Sequence, residues 1–275
     1  GAECFNSQVQ EPIQLSRDFR SAVQVRFACR FEGCLAWVFT RRDGDAQVER
    51  DLEAVVMNAK ICLGDGSTSR VYAGAMTTSS VAIKRSKEAS AQLRHEFEVL
   101  SALPACAYIL KVFYCLENSS PMTCLLMARY NMCLSDLLRA PEPPPTVDCI
   151  WARGLDLLRA LCFLGEHQVL HGDVKPDNLL LNAATSTLVL GDFGHARKVG
   201  TAVPLPFYTL TYRAPFITTS VDSVIAHPNM DLWAAGIVFA DLHAGYSVLH
   251  TRKTSLALHL WSAHRYFGPD VRAPI

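Results

Sequence analysis

The sequence predicts an α+β fold in two parts, sheet first and helix afterwards. Three observations predict it. Short alternating or apolar runs punctuated by glycine fill Ile61 to Lys84 and recur at 108–116 and 123–130. Longer stretches with helical spacing of apolar residues dominate beyond the proline-rich loop from Pro141 to Pro145. No internal repeat is visible. Strands and helices that segregate along a chain, rather than alternating, give α+β layers instead of a parallel α/β sheet.

The elements follow in order. Residues 1–60 read as an N-terminal extension of unknown role, in which Val23-Gln24-Val25-Arg26-Phe27 alternates as a strand does. Ile61 to Lys84 reads as strand, glycine-rich turn, strand, turn, strand. Ser86 to Leu103 reads as a helix, with Leu93, Phe97, Leu100 and Leu103 on one face and Pro104 ending it. Strand-like runs follow at Tyr108–Leu116 and Thr123–Tyr130. Helices are expected at Val147–His167, Asp231–Gly245 and Ser255–Phe267.

Composition narrows the function classes. A chain of 275 residues, half of them hydrophobic, can bury one large core, or one domain plus an extension. Its 26 basic and 26 acidic residues cancel, so nothing draws it to nucleic acid or an anionic membrane, and neither is expected as a partner. No stretch is apolar and long enough to span a bilayer. Ten cysteines are scattered without C-x-x-C spacing, several inside apolar runs such as Leu161-Cys162-Phe163. They read as reduced thiols, which predicts an intracellular protein of cytoplasm or nucleus.

Four polar motifs flank the apolar runs. In Gly64-Asp65-Gly66-Ser67-Thr68-Ser69-Arg70-Val71, Gly64 and Gly66 would let backbone amides approach phosphate oxygens, with the small Ser69 in a third such position. Lys84 ends the apolar run Val81-Ala82-Ile83, and Glu96 on the next helix is placed to hold it toward phosphates. His171-Gly172-Asp173-Val174-Lys175-Pro176-Asp177-Asn178 is the strongest signal. Asp173 can orient a hydroxyl or take its proton, Lys175 can neutralise a transferring phosphoryl, and Asn178 can bind Mg²⁺. Asp192-Phe193-Gly194 follows a strand, and Asp192 supplies the second ligand that Mg²⁺, which keeps most of its waters, requires.

Together these residues resemble the eukaryotic protein kinase family from about Ile61 to the C-terminus. The resemblance implies a bilobal fold, with a β-rich N-lobe at about 61–130 and a helical C-lobe at about 131–275. It implies Mg-ATP between the lobes and γ-phosphoryl transfer to a protein hydroxyl. Val71, Ala82 and Leu180 would enclose the adenine, and Asp231 would hold the catalytic loop's backbone. Lys175 and Thr209 match the Ser/Thr rather than the Tyr kinases, with Thr209 beside the catalytic pair. Thr209 to Pro215, with Asp231-Leu232-Trp233, looks most like the cyclin-dependent group. There an arginine at the place of Arg213 favours proline after the target residue. The group also admits a regulatory protein partner, although the helix carrying Arg94 and His95 does not spell its cyclin-binding sequence.

Departures set limits on the resemblance. Gly172 stands where the family has the arginine that pairs with an activation-loop phosphate, so activity is expected without phosphorylation between Gly194 and Thr209, where Thr201 and Tyr208 lie. Phe216 replaces the glutamate of Ala-Pro-Glu, and the chain ends before its usual arginine partner, which would leave the C-lobe incomplete. These losses keep an alternative open, a pseudokinase that binds or scaffolds. His-Gly-Asp also occurs in small-molecule kinases, which lack the Lys-Pro pair and the Tyr-Arg-Ala-Pro segment.

Overall fold

The computed structural model describes residues 14–15, 22–31, 34–42, 50–76, 79–87, 91–117, 123–139, 146–182, 185–204, 208–218 and 223–249. They separate into two compact units, Gly1–Ser101 with Lys111–Arg129, and Ala102–Leu110 with Tyr130–Ile275.

The first unit is built on β1 (Gln14–Leu15), β2 (Ala22–Phe31), β3 (Cys34–Arg42), β4 (Arg50–Asp65), β5 (Ser69–Met76), β6 (Ser79–Ser86), β7 (Val112–Glu117) and β8 (Thr123–Ala128). They form one sheet in the order β1-β7-β8-β6-β5-β4-β3-β2. The alternation at Val23–Phe27 does lie in a strand, β2. Strand β4 passes straight through residue 60, where the extension was expected to end. Helix α1 (Ala91–Ala102) buries Leu93, Phe97 and Leu100, the stripe its spacing implied. It begins later than Ser86 because β6 carries the chain that far.

The second unit opens with β9 (Met132–Cys133) and α2 (Leu134–Arg139), a helix too short for periodicity to reveal. Helix α3 (Val147–Glu166) follows, its N-cap Thr146 accepting from Cys149 N. Then come β10 (Val169–Leu170), β11 (Leu179–Asn182), β12 (Thr187–Leu190), β13 (Arg197–Lys198) and β14 (Ala202–Pro204). Helix α4 (Pro215–Thr218), β15 (Ser223–Ile225) and α5 (Asn229–Ala244) are its last described elements. The expected strand from Tyr108 is thus divided. Tyr108–Leu110 belongs to the second unit, where Leu110 N donates to Leu190 O and Leu190 N to Tyr108 O, and only from Val112 does the chain join the first sheet.

Helices α3 and α5 approach so closely that a Cβ on Gly154 would lie 1.9 Å from Phe239 Cε1. A buried cluster of Leu170, Val203, Tyr208, Ala214, Ile217, Ala226 and Met230 packs Val203 and the 208–217 segment against the start of α5. The expected proline-rich loop and the helix at Ser255–Phe267 lie outside the described residues.

Candidate active site

In the first unit the register alone arranges three site residues. Val71 pairs with Lys84, and Ala73 with Ala82. Directly opposed residues share a face, and so do residues two apart on one strand. Val71, Ala82 and Lys84 therefore line one face of the sheet. Lys84 Nζ reaches Glu96 Oε2 at 2.8 Å, and the Glu96 side chain is 0% exposed. Gly64 lies near the end of β4, paired with Val71, and Gly66 sits in the exposed β4–β5 turn, closed by Gly66 N donating to Ser69 O at 2.9 Å. Ser69 is buried at the start of β5.

The Lys84–Glu96 pair gives a stability test. Lys84→Met removes the ammonium from beside a buried carboxylate, and breaking such a pair costs about 3–5 kcal/mol. The double variant with Glu96→Leu is expected to recover much of that loss in chemical denaturation.

The second unit brings four of the expected residues into one hydrogen-bonded group. Asp173 Oδ2 accepts from Lys175 Nζ at 2.5 Å and from Asn178 Nδ2 at 3.0 Å. Asp173 Oδ1 accepts from Thr209 Oγ1 at 2.7 Å, and that hydroxyl accepts from Lys175 Nζ at 2.9 Å. Burial by itself would raise the Asp173 pKa. The Lys175 charge and hydrogen bond, the Thr209 hydroxyl and His171 outweigh it and hold the carboxyl below its ordinary value.

The backbone is fixed from beneath. Asp231, at the start of α5, accepts His171 N at 2.7 Å and Gly172 N at 3.0 Å. His171 Nε2 lies 2.9 Å from Gly191 O, and its Nδ1 accepts Asp173 N. Only the tautomer with the proton on Nε2 satisfies both bonds. Gly172 adopts φ +81°, a conformation glycine takes without a Cβ penalty.

Asn178 and Asp192 are tied through the β11–β12 hairpin. Gly191 N, one residue before Asp192, donates to Asn178 O at 2.9 Å. The Asn178 amide nitrogen is spent on Asp173, bonding both its backbone O and its carboxylate. That leaves the side-chain oxygen as the atom that could coordinate a metal. The Asp192 carboxylate could supply a second hard oxygen, and such a pair would suit Mg²⁺ shared with phosphates and water. The described residues hold no cluster of three His, Cys, Asp or Glu able to bind a metal. Leu180, half-buried on β11, lies two residues beyond Asn178.

The sequence profile of the protein kinase domain matches residues 57–265. The chain belongs to the protein kinase family. It is a phosphotransferase domain of the kind that uses ATP and acts on protein, with the α+β composition expected of that fold.

Two features of this kinase domain escape sequence reasoning. Asp241, 0% exposed on α5, accepts Tyr212 Oη at 2.8 Å and Val248 N at 2.7 Å, which anchors the Tyr-Arg-Ala-Pro segment. Burial raises its pKa against the pull of those two donors. An acid inside the apolar run Phe239-Ala240-Asp241-Leu242 was the available signal, since a buried carboxyl needs partners. Tyr208 is the other. It stands in the segment expected to offer a phosphate acceptor, yet it is only 6% exposed and its hydroxyl donates to Asp231 Oδ1 at 3.1 Å. Its φ of +76° is an outlier for a bulky residue, and such backbone costs about 1–3 kcal/mol unless its surroundings hold it. Arg213 does part of the holding, donating from Nη2 to Tyr208 O at 2.9 Å.

Proposed function

We propose that the chain is an active serine/threonine kinase that favours proline after the acceptor residue. The observation that carries the catalytic part is the Asp173–Lys175–Asn178–Thr209 group, which gathers a base, a cation and an amide for phosphoryl transfer in one hydrogen-bonded cluster. Asp173 orients the acceptor hydroxyl and takes its proton as the oxygen bonds to the γ-phosphorus. The bond to the β-phosphate oxygen breaks and ADP leaves. Lys175 neutralises the moving phosphoryl, and Thr209 keeps Lys175 and Asp173 in register. In the first unit, Gly64, Gly66 and Ser69 border the phosphate path, Val71 and Ala82 are assigned to the adenine, and Lys84 holds the α/β-phosphates; in the second, Leu180 on β11 is assigned to the adenine as well. Asn178 and Asp192 would hold Mg²⁺, whose contribution when bound is to offset phosphate charge.

The preference for proline is supported by the Tyr208 backbone. Its carbonyl is committed to Arg213 and so is withheld from a peptide N–H passing this segment. A residue with an N–H there would bury an unmade hydrogen bond, and proline has no N–H to leave unpaired. The described cysteines, all free thiols, support an intracellular setting, and burial pushes the Cys124 thiol up to about 11, which keeps it inert. Among the described residues no helix is long and apolar enough to cross a membrane.

The test is transfer of labelled γ-phosphate from Mg-ATP to matched Ser-Pro, Ser-Ala and Tyr peptides. Transfer is expected to Ser-Pro at least tenfold faster than to Ser-Ala, since one unmade buried hydrogen bond is worth about that factor. Equal rates on the two serine peptides would remove the proline preference, and transfer to tyrosine alone would remove the Ser/Thr assignment. A chain that binds Mg-ATP but transfers nothing would instead be the scaffold that Phe216 leaves open.

A further inference from the structure

We propose that Tyr208 is a positioning residue, whose buried hydroxyl clamps the peptide-side segment to the catalytic loop through Asp231 without a phosphate. This role rests on the kinase function proposed above and adds to it a means of holding the site together.

The geometry closes a ring. Tyr208 is followed by Thr209, whose hydroxyl bonds Asp173 Oδ1 at 2.7 Å. Asp173 follows Gly172, whose N–H bonds Asp231 Oδ1 at 3.0 Å. The same Asp231 oxygen receives Tyr208 Oη at 3.1 Å. Five residues are thus linked by three hydrogen bonds and two peptide bonds, and the reacting carboxylate is a member of the ring. Displacing any member strains the rest, so Asp173 and Thr209 are held from both sides.

The side chain is suited to the task. A valine or phenylalanine could fill the pocket among Leu170, Val203, Ala214, Ile217, Ala226 and Met230, but neither could reach Asp231 with a donor. Burial, then the Asp231 charge and hydrogen bond, push the Tyr208 pKa up, so the phenol keeps its proton at every working pH. Gly172 has no side chain with which to bridge to the segment, and the phenol supplies that bridge. It also follows that Tyr208 is no accessible phosphate acceptor. Thr201, exposed and with its hydroxyl donating to the local Lys198 O, is the residue whose substitution tests phosphorylation.

Tyr208→Phe keeps the ring and deletes the donor. Three readouts are compared with wild type and with Thr201→Ala: peptide kcat and KM, the KM for ATP, and amide hydrogen exchange at Gly172, Thr209 and along α3. For Tyr208→Phe, kcat on a Ser-Pro peptide is expected to fall about tenfold with the KM for ATP unchanged, the factor carried by one buried hydrogen bond. Exchange should quicken at Gly172 and Thr209 while α3 stays protected, and Thr201→Ala should behave as wild type. Unchanged kcat and exchange would overturn the clamp. So would a loss matched by faster exchange throughout α3, which marks general destabilisation, or a phosphate found on Tyr208 by intact mass. Should wild type transfer no phosphate, the kinase reading fails, and exchange at Gly172 and Thr209 still decides whether the clamp exists.

Discussion

Asp173→Asn is expected to lower turnover by about 10²–10⁴-fold, the range for loss of a general base, while the protein still melts cooperatively and binds Mg-ATP. Asparagine has nearly the same shape, so Thr209 can still donate to its oxygen. It carries no charge for Lys175 and cannot take the acceptor's proton. Residual transfer within tenfold of wild type would mean that Asp173 is not the base. The same variant carries a pH signature. The folded pKa of Asp173 lies below its ordinary 3.8, so the ionised form is favoured by folding. Its contribution to stability is complete above that ordinary value and disappears as pH falls through the lower, folded one. The stability gap between wild type and Asp173→Asn should therefore stay constant from neutrality to about pH 5 and close only in stronger acid. A gap that closed near pH 6 would show that another group sets it.

The catalytic residues are legible in the sequence because they are local. Asp173, Lys175 and Asn178 lie within six positions, and Asp192 follows one short hairpin later, so spacing alone carries their relationship. Lys84 and Glu96 are legible for a similar reason. One ends an apolar run, the other lies beside the buried stripe of α1, and only 12 positions separate them. Tyr208 and Asp231 are 23 residues apart and Tyr212 and Asp241 are 29 apart, and nothing in either neighbourhood names its partner. A tyrosine in a segment of hydroxyl residues looks like an exposed acceptor until its φ and its burial are known. The early strands are hard to read for a different reason. Alternation shows β2 at Val23–Phe27 but not how it pairs: the register between β2 and β3 shifts between Val25 and Phe27, and that between β3 and β4 shifts at Phe39–Thr40, so the partner of each residue cannot be counted off from a two-residue period. The division at Tyr108–Val112 depends on Leu190, some 80 residues away, and no local pattern could place it.

The second large effect is expected at Asp231, and it separates holding the catalytic loop from doing its chemistry. The side chain is 4% exposed and accepts three donors: His171 N, Gly172 N and Tyr208 Oη. Burial raises its pKa, while the two backbone N–H groups and the phenol oppose that rise. Asp231→Ala strands all three donors in a space closed to water. Each buried polar group left unmade costs about 1–3 kcal/mol, so the variant should lose about 3–6 kcal/mol once partial relaxation is allowed. That is a large share of the about 5–15 kcal/mol that holds a typical domain together. Asp231→Asn keeps one acceptor oxygen but turns an NH₂ toward a donor, so it should fall between alanine and wild type. Denaturant midpoints for the three proteins give the order directly. A loss below about 1 kcal/mol for Asp231→Ala would mean that solvent or a neighbour can replace the carboxylate. Gly172, at φ +81°, would then have to hold its unusual backbone without the acceptor that now fixes it. The ring through Tyr208, Thr209 and Asp173 would lose its anchor at the same time. Asp231→Ala and Asp173→Asn should therefore divide cleanly, the first losing stability and activity together and the second losing activity while the fold survives.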